Sequence, residues 1–214
     1  MNTLPLLVVA AVPQEISFSY REKYQKGTHN GVQFLFTGIG RARAASAVKA
    51  RLSREKYRMV ISTGFSGATQ PGFHVGDLVT ASQVMEASSG RFLEPARWPL
   101  NKVKSVAAGR FLTIDRIAND PDTKKKLGDQ YGTIAVDLET AFIGAAAEEA
   151  HIPWITIRAI LDPMEENLRV GSLRQALWML AFPSRWRDFG DFLHAIRVAS
   201  ESLTKGLEGI ISVF

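Results

Sequence analysis

Three carboxylates in the sequence stand just beyond apolar runs, where an α/β protein keeps its reactive groups. Glu15 follows Leu4–Val12 and Pro13, Glu139 closes Val136-Asp137-Leu138-Glu139, and Asp162 follows Ile152–Leu161. In open α/β sheets ligands bind beyond the carboxyl ends of strands, so side chains at strand exits are the ones to weigh. Carboxylates from three separate strands, brought around one bond, could divide the roles of acid, base and hydroxyl binder. Taken singly, each has an ordinary explanation. Glu15 could be a dipole partner in a first helical turn, Asp137 or Glu139 a helix N-terminal residue, and Asp162 before Pro163 a turn former. Two glycine-containing exits accompany them, Thr37-Gly38-Ile39-Gly40 and Gly64-Phe65-Ser66-Gly67-Ala68. The first is shorter than either nucleotide-binding glycine pattern. The second approximates a hydrolase nucleophile elbow, but an elbow needs a helix directly after its serine, and Pro71, Gly72 and Gly76 intervene before extended structure resumes.

The elements that must position these residues alternate along the chain. Leu4–Val12 is apolar throughout and stopped by Pro13, which reads as a strand buried on both faces followed by a helical turn. Further strands are expected at Val32–Phe36, Met59–Thr63, Val75–Val79, Val106–Ile114, Thr133–Val136 and Ile152–Leu161. Helices are expected at Arg41–Arg54, Asp122–Gln130 and Leu138–Ala150, and Met85–Asn101 reads as a loop. No helix fits between the third strand and Val75. Beyond a polar stretch, Glu165–Val170, two closing helices are expected at Ser172–Phe182 and Arg187–Phe214, divided by Pro183. Strands alternating with helices imply an α/β fold, a three-layer α/β/α sandwich around a mixed, largely parallel sheet. The 214 residues suit one domain, 1–214, of which 165–214 is the helical C-terminal part.

Composition narrows the chemistry. With 46% hydrophobic and 22% charged residues the chain is globular, and the absence of cysteine removes thiolate catalysis, disulfides and sulfur-based zinc sites. His29, His74, His151 and His194 lack metal-ligand spacing, so no metal is expected. No apolar stretch spans a bilayer, and no Lys or Arg precedes Arg21 to form a secretory n-region, so a cytoplasmic location is expected. The net charge of +5 is unevenly spread: residues 38–58 hold seven basic and one acidic side chain, residues 127–164 one basic and six acidic. A basic helix face in water needs no partner, so no nucleic acid is invoked.

In this order, Ala10-Ala11-Val12-Pro13-Gln14-Glu15, Thr37-Gly38-Ile39-Gly40, Ser62-Thr63-Gly64-Phe65-Ser66-Gly67-Ala68, Val75-Gly76-Asp77-Leu78-Val79, Val136-Asp137-Leu138-Glu139-Thr140-Ala141 and Arg158-Ala159-Ile160-Leu161-Asp162 form one pattern. It resembles the nucleoside phosphorylase and nucleosidase superfamily that includes methylthioadenosine/S-adenosylhomocysteine nucleosidases. Asp162-Pro163-Met164-Glu165-Glu166-Asn167-Leu168 and the later Pro183-Ser184-Arg185-Trp186 look like the hopanoid-associated phosphorylase branch, which implies adenosylhopane as a substrate. Carried over by position, the resemblance implies that Glu15 activates water, Asp162 protonates the purine, Glu139 binds ribose hydroxyls, and Leu138, Phe65, Ser66 and Gly67 line the substrate. It also implies a homo-oligomer, and no cofactor beyond inorganic phosphate if the reaction is phosphorolytic. Leu138 stands where relatives usually have Met, and Phe65 where nucleosidases often have a hydroxyl residue. Family phosphorylases hold phosphate with an Arg on the third-strand motif, where this chain has Ser62, which favours water. Gly40, Arg41 and Arg43 could still hold an anion, so phosphorolysis is the alternative. A further alternative is a non-catalytic ligand- or lipid-binding module on the same fold. Trp178, Met179, Leu180, Phe182, Trp186, Phe189 and Phe192 around Pro183 could form a lid for a lipid-like 5′ substituent or a peripheral membrane contact.

Overall fold

Strand β1 (Leu6–Ala10) is buried at all five positions, and its side chains divide by parity between two hydrophobic layers. Leu7 and Val9 face one layer, and Leu6, Val8 and Ala10 the other, as the two-residue period of a strand requires. In the computed structural model, residues 4–17, 19, 20, 22, 31–97, 103, 105–166 and 186–214 are described. β1 is followed by a single 3₁₀ turn, Pro13–Glu15, then β2 (Val32–Phe36) and helix α1 (Arg41–Leu52). After β3 (Met59–Ala68), β4 (Leu78–Glu86), β5 (Phe92–Leu93) and β6 (Val106–Thr113) come α2 (Pro121–Tyr131), β7 (Thr133–Asp137), α3 (Thr140–Glu149), β8 (Trp154–Asp162) and α4 (Trp186–Ile211).

The sheet order is β2-β1-β3-β7-β6-β4-β5, with β8 pairing both β3 and β4. β3, β7, β6, β4 and β8 therefore close into a ring, while β1 and β2 extend from β3 as a parallel wing. Parallel pairings predominate, with antiparallel contacts at β3–β7, β4–β5 and β4–β8, so the sheet is mixed as expected. α1 and α3 cover one face through Ala44, Val48, Leu52, Ile143 and Ala147. α4 covers the other through Ala199, Leu203, Leu207 and Ile210, giving helices on both sides of the sheet.

Four local expectations need correction, the first being the strand at Val75–Val79, where Val75 and Gly76 form a turn and the strand runs from Leu78 to Glu86. The helix expected after Pro13 stops after one turn, because Ile16 is already extended. The third strand does not end at Thr63 but continues through Gly64–Ala68, since Ser66 and its neighbours keep pairing with β8. Part of the expected loop Met85–Asn101 is sheet: Val84 and Met85 pair with Leu93 and Phe92 in an antiparallel hairpin. The expected helix Ser172–Phe182 and most of the apolar cluster around Pro183 lie outside the described residues. Among the described residues no helix is long and apolar enough to cross a membrane.

Candidate active site

Glu15 sits at the exit of β1 because Pro13 turns the chain once and returns its side chain over the strand end. Its Oε2 accepts from the backbone N–H groups of Ala11 at 2.7 Å and Val12 at 3.0 Å, and its Oε1 from Phe65 N at 3.2 Å. Burial pushes this carboxyl above its usual range, opposed by the Arg158 guanidinium and by the three backbone donors. The approach is possible because position 64 is glycine. Its φ is +144°, and a Cβ there would collide with both Arg158 Nη1 and Glu15 Oε1.

Arg158 lies opposite Gly64 in the β3–β8 register, and only 1% of it is exposed. A cation inside an apolar strand must be paired. Its Nη2 lies 2.9 Å from Asp137 Oδ2, and it donates to Ser62 Oγ at 3.1 Å, Thr140 Oγ1 at 2.7 Å and the carbonyl of Thr63. Thr140 Oγ1 also donates to Asp137. Glu139, at the junction of β7 and α3, accepts from Gly40 N at 2.8 Å, so the glycine turn after β2 is bound to the β7 exit. Burial, reinforced by the negative charges of Asp137 and Glu15 and opposed by Arg158 and Gly40, raises the Glu139 pKa to about 7.

Asp162 reaches the same end of β3 through an irregularity. Ser66 pairs with Ile160, but Gly67 pairs with Asp162, so Leu161 bulges out and the carboxylate is set against Gly67. Asp162 Oδ2 would lie 3.6 Å from a Cβ at Gly67, while Oδ1 accepts from Lys124 Nζ at 2.8 Å. Burial raises the Asp162 pKa to about 6 against the lowering effect of Lys124. Since Glu15 and Arg158 meet β3 at Gly64 and Asp162 meets it at Gly67, the two carboxylates are three strand residues apart, or about 10 Å.

The remaining expected residues fall around this line. Leu138 is half-buried beside Glu139. Phe65 packs against the layer under α4, and the buried Ser66 Oγ has no hydrogen-bond partner among the described residues. Gly40 spends its N–H on Glu139, Arg41 is exposed and pairs with Asp115 at 3.1 Å, and Arg43 is exposed with its stem against Gly38. Two surface depressions lie elsewhere. One of about 460 Å³ is lined by Asp122, Lys125 and Asp129, the other of about 530 Å³ by Lys49, Phe142 and Glu148. Sequence reasoning missed Arg158 and Lys124 as site residues. Arg158 had a signal, a lone cation in an apolar strand, whereas Lys124 is one of three consecutive lysines.

The Phosphorylase superfamily model matches residues 9–177. The methylthioadenosine/S-adenosylhomocysteine nucleosidase of Anoxybacillus flavithermus is 26% identical over 166 residues, covering 65% of this chain and 72% of that protein. The Bacillus velezensis enzyme of the same name is 28% identical over 171 residues, with the same coverage. Among solved structures, the Helicobacter pylori methylthioadenosine/S-adenosylhomocysteine nucleosidase complexed with a substituted pyrrolidin-3-ol superposes with a TM-score of 0.77 at 15% identity, covering 100% of both chains. A futalosine hydrolase mutant of the same organism gives 0.75 at 14% identity, covering 99% of this chain and 100% of that one. The matched region contains all three carboxylates with Arg158 and the strand exits that carry them, and the chain belongs to the Phosphorylase superfamily.

Proposed function

We propose that this enzyme cleaves the N-glycosidic bond of an adenosine-type nucleoside with water, releasing adenine. The observation that carries the reading is the line of buried carboxylates along β3, Glu15 with Arg158 at Gly64 and Asp162 at Gly67, with Glu139 electrostatically coupled to Glu15. Breaking the bond between ribose and base leaves positive charge on the sugar and negative charge on the purine, so anions belong beside the sugar and an acid beside the base. In this reading Glu139 accepts hydrogen bonds from ribose hydroxyls, contacts that strengthen as the sugar gains charge. Glu15 takes a proton from the attacking water, whose oxygen forms the new bond to the anomeric carbon. The bonding pair leaves with the purine, and Asp162 supplies the proton that neutralises it. A raised pKa keeps part of the Asp162 population protonated near neutrality.

Water is preferred over phosphate because Ser62, at the position of the phosphate-holding Arg, is taken up by Arg158, and Arg41 is paired with Asp115. No metal or redox group is needed in this scheme. The narrower choice of adenosylhopane rests on the sequence after Asp162. The test is release of free adenine from methylthioadenosine, S-adenosylhomocysteine and adenosylhopane, each with and without phosphate. Adenine should appear without phosphate, and a strict phosphate requirement with ribose 1-phosphate-type product would overturn the hydrolytic reading. Asp162→Asn should lose about 10²–10⁴-fold in kcat. Full activity in that variant would remove Asp162 as the acid.

A further inference from the structure

Lys124 is completely buried, although it lies in a polar helix between Thr123 and Lys125. An ammonium group has three N–H donors, and here each has an oxygen: Asp162 Oδ1 at 2.8 Å, the Pro163 carbonyl at 2.6 Å and the Glu166 carbonyl at 2.6 Å. A buried lysine is far more demanding than the neutral residue that packing alone would select, and its placement has been built in. Asp120 caps α2 by accepting from Thr123 N, Pro121 opens it, and Gly128, one turn beyond Lys124 on the same face, lets the helix lie against the Thr69 carbonyl. α2 is thereby pressed against the end of β3 with Lys124 pointing at the end of β8.

We propose that Lys124 is the positioning residue of the acid: it grips one oxygen of Asp162 and the two carbonyls that follow, and so presents the other oxygen beside Gly67, where the purine must receive its proton. The inference rests on the reading of Asp162 as the acid. One carboxylate oxygen is occupied by the ammonium, so the proton to be donated sits on Oδ2, the oxygen next to β3. The same three contacts fix the turn Pro163–Glu166 in which β8 ends. Among the described residues, the charged groups facing Asp162 are Lys124 from α2 and Glu166 from that turn; β3 and β7 present Gly67 and Val136 there. Lys124 favours the ionised acid and Glu166 opposes ionisation, so the lysine trades some protonation for a fixed direction of transfer.

The experiment is Lys124→Gln, which can still donate to a carbonyl but carries no charge, compared with Lys124→Arg. Both are followed by the pH dependence of kcat/KM and by carboxyl carbon NMR titration of Asp162. Loss of the ammonium should move the Asp162 titration, and the alkaline limb of the rate profile with it, to higher pH by about one unit or more. kcat at the optimum should fall at least about tenfold, with KM changed less. Lys124→Arg should keep the limb near its original place. A Lys124 that serves only to hold the fold would lower activity equally at every pH and leave the Asp162 titration where it was, and that result overturns the proposal. If the titration moves while the limb does not, the fault lies with the acid assignment and not with the Lys124 contact. Should Lys124→Gln fail to fold, the side-chain nitrogen spectrum of the unaltered enzyme decides. The Lys124 signal must shift as Asp162 titrates, and a signal blind to that titration is equally fatal.

Discussion

Glu139 shows how the site holds charge that water would hold more easily. Its neighbours are Asp137 and Glu15, both acidic, and one guanidinium, Arg158, serves the group. Its pKa of about 7 stands above the ordinary glutamate value of 4.5, so between those limits the folded protein holds a proton that the unfolded chain has released. Stability from this residue is therefore full below about pH 4.5 and declines as pH rises through 7. Glu139→Gln, which keeps the oxygen that accepts from Gly40, should be more stable than the unaltered protein at pH 8 by about 1–3 kcal/mol and no more stable at pH 4. Urea unfolding at the two pH values checks this, and an equal effect at both would show that Glu139 is not strained by ionisation. The carboxylates were legible in the sequence because each follows an apolar run. Their partners were not, since Gly40 meets Glu139 and Lys124 meets Asp162 across 99 and 38 residues of chain.

At the scale of elements, β3 is the ruler of the site. Its continuation through Gly64–Ala68 could not be read from propensity, because glycine weakens a strand; pairing with β8 overrides that weakness. Gly64 then serves a purpose a side chain would defeat, leaving room for Glu15 and Arg158, whereas a Cβ at Gly67 would press on Val136 Cγ2 at 3.3 Å and make only ordinary contact with Asp162. Helix α2 was legible nearly to the residue, with Asp120 and Pro121 at its start and Gly132 in the left-handed conformation at its end. The depth to which it sinks was not legible, because that depends on Gly128, where a Cβ would collide with the Thr69 carbonyl. Gly128→Ala should lift the helix from β3 at a cost of about 1–3 kcal/mol despite alanine's higher helix propensity. If Lys124 acts through Asp162, the same variant should also lower kcat. A thermal melt with a rate assay on one sample separates the outcomes, and a stabilised, fully active variant would show that the helix does not need this approach.

For the whole molecule, alternation along the chain revealed an α/β fold but not the order of its strands. Local pattern records which face a strand buries and is silent on its neighbours, so the ring of β3, β7, β6, β4 and β8 emerged only in three dimensions. That closure, with β1 paired alongside β3, gathers Glu15, Glu139 and Asp162 from the ends of β1, β7 and β8, and burial raises all three above their ordinary range. The folded molecule therefore carries more protons than the unfolded chain between about pH 4 and pH 7, even with a net charge of +5. Unfolding at pH 6 should release protons, and stability should decline from about pH 5 to pH 7 by about 1–2 kcal/mol per pH unit. Calorimetric unfolding in two buffers of different ionisation enthalpy measures that release, and proton uptake would contradict the raised carboxylates. A nucleoside mimic with a cationic sugar should reverse the trend, since its charge favours the ionised Glu139 and Glu15 and its binding grows stronger as pH rises. The stability removed from the empty protein in alkaline solution is then returned when positive charge enters the site, which is the electrostatic condition for binding a charged sugar more tightly than a neutral one.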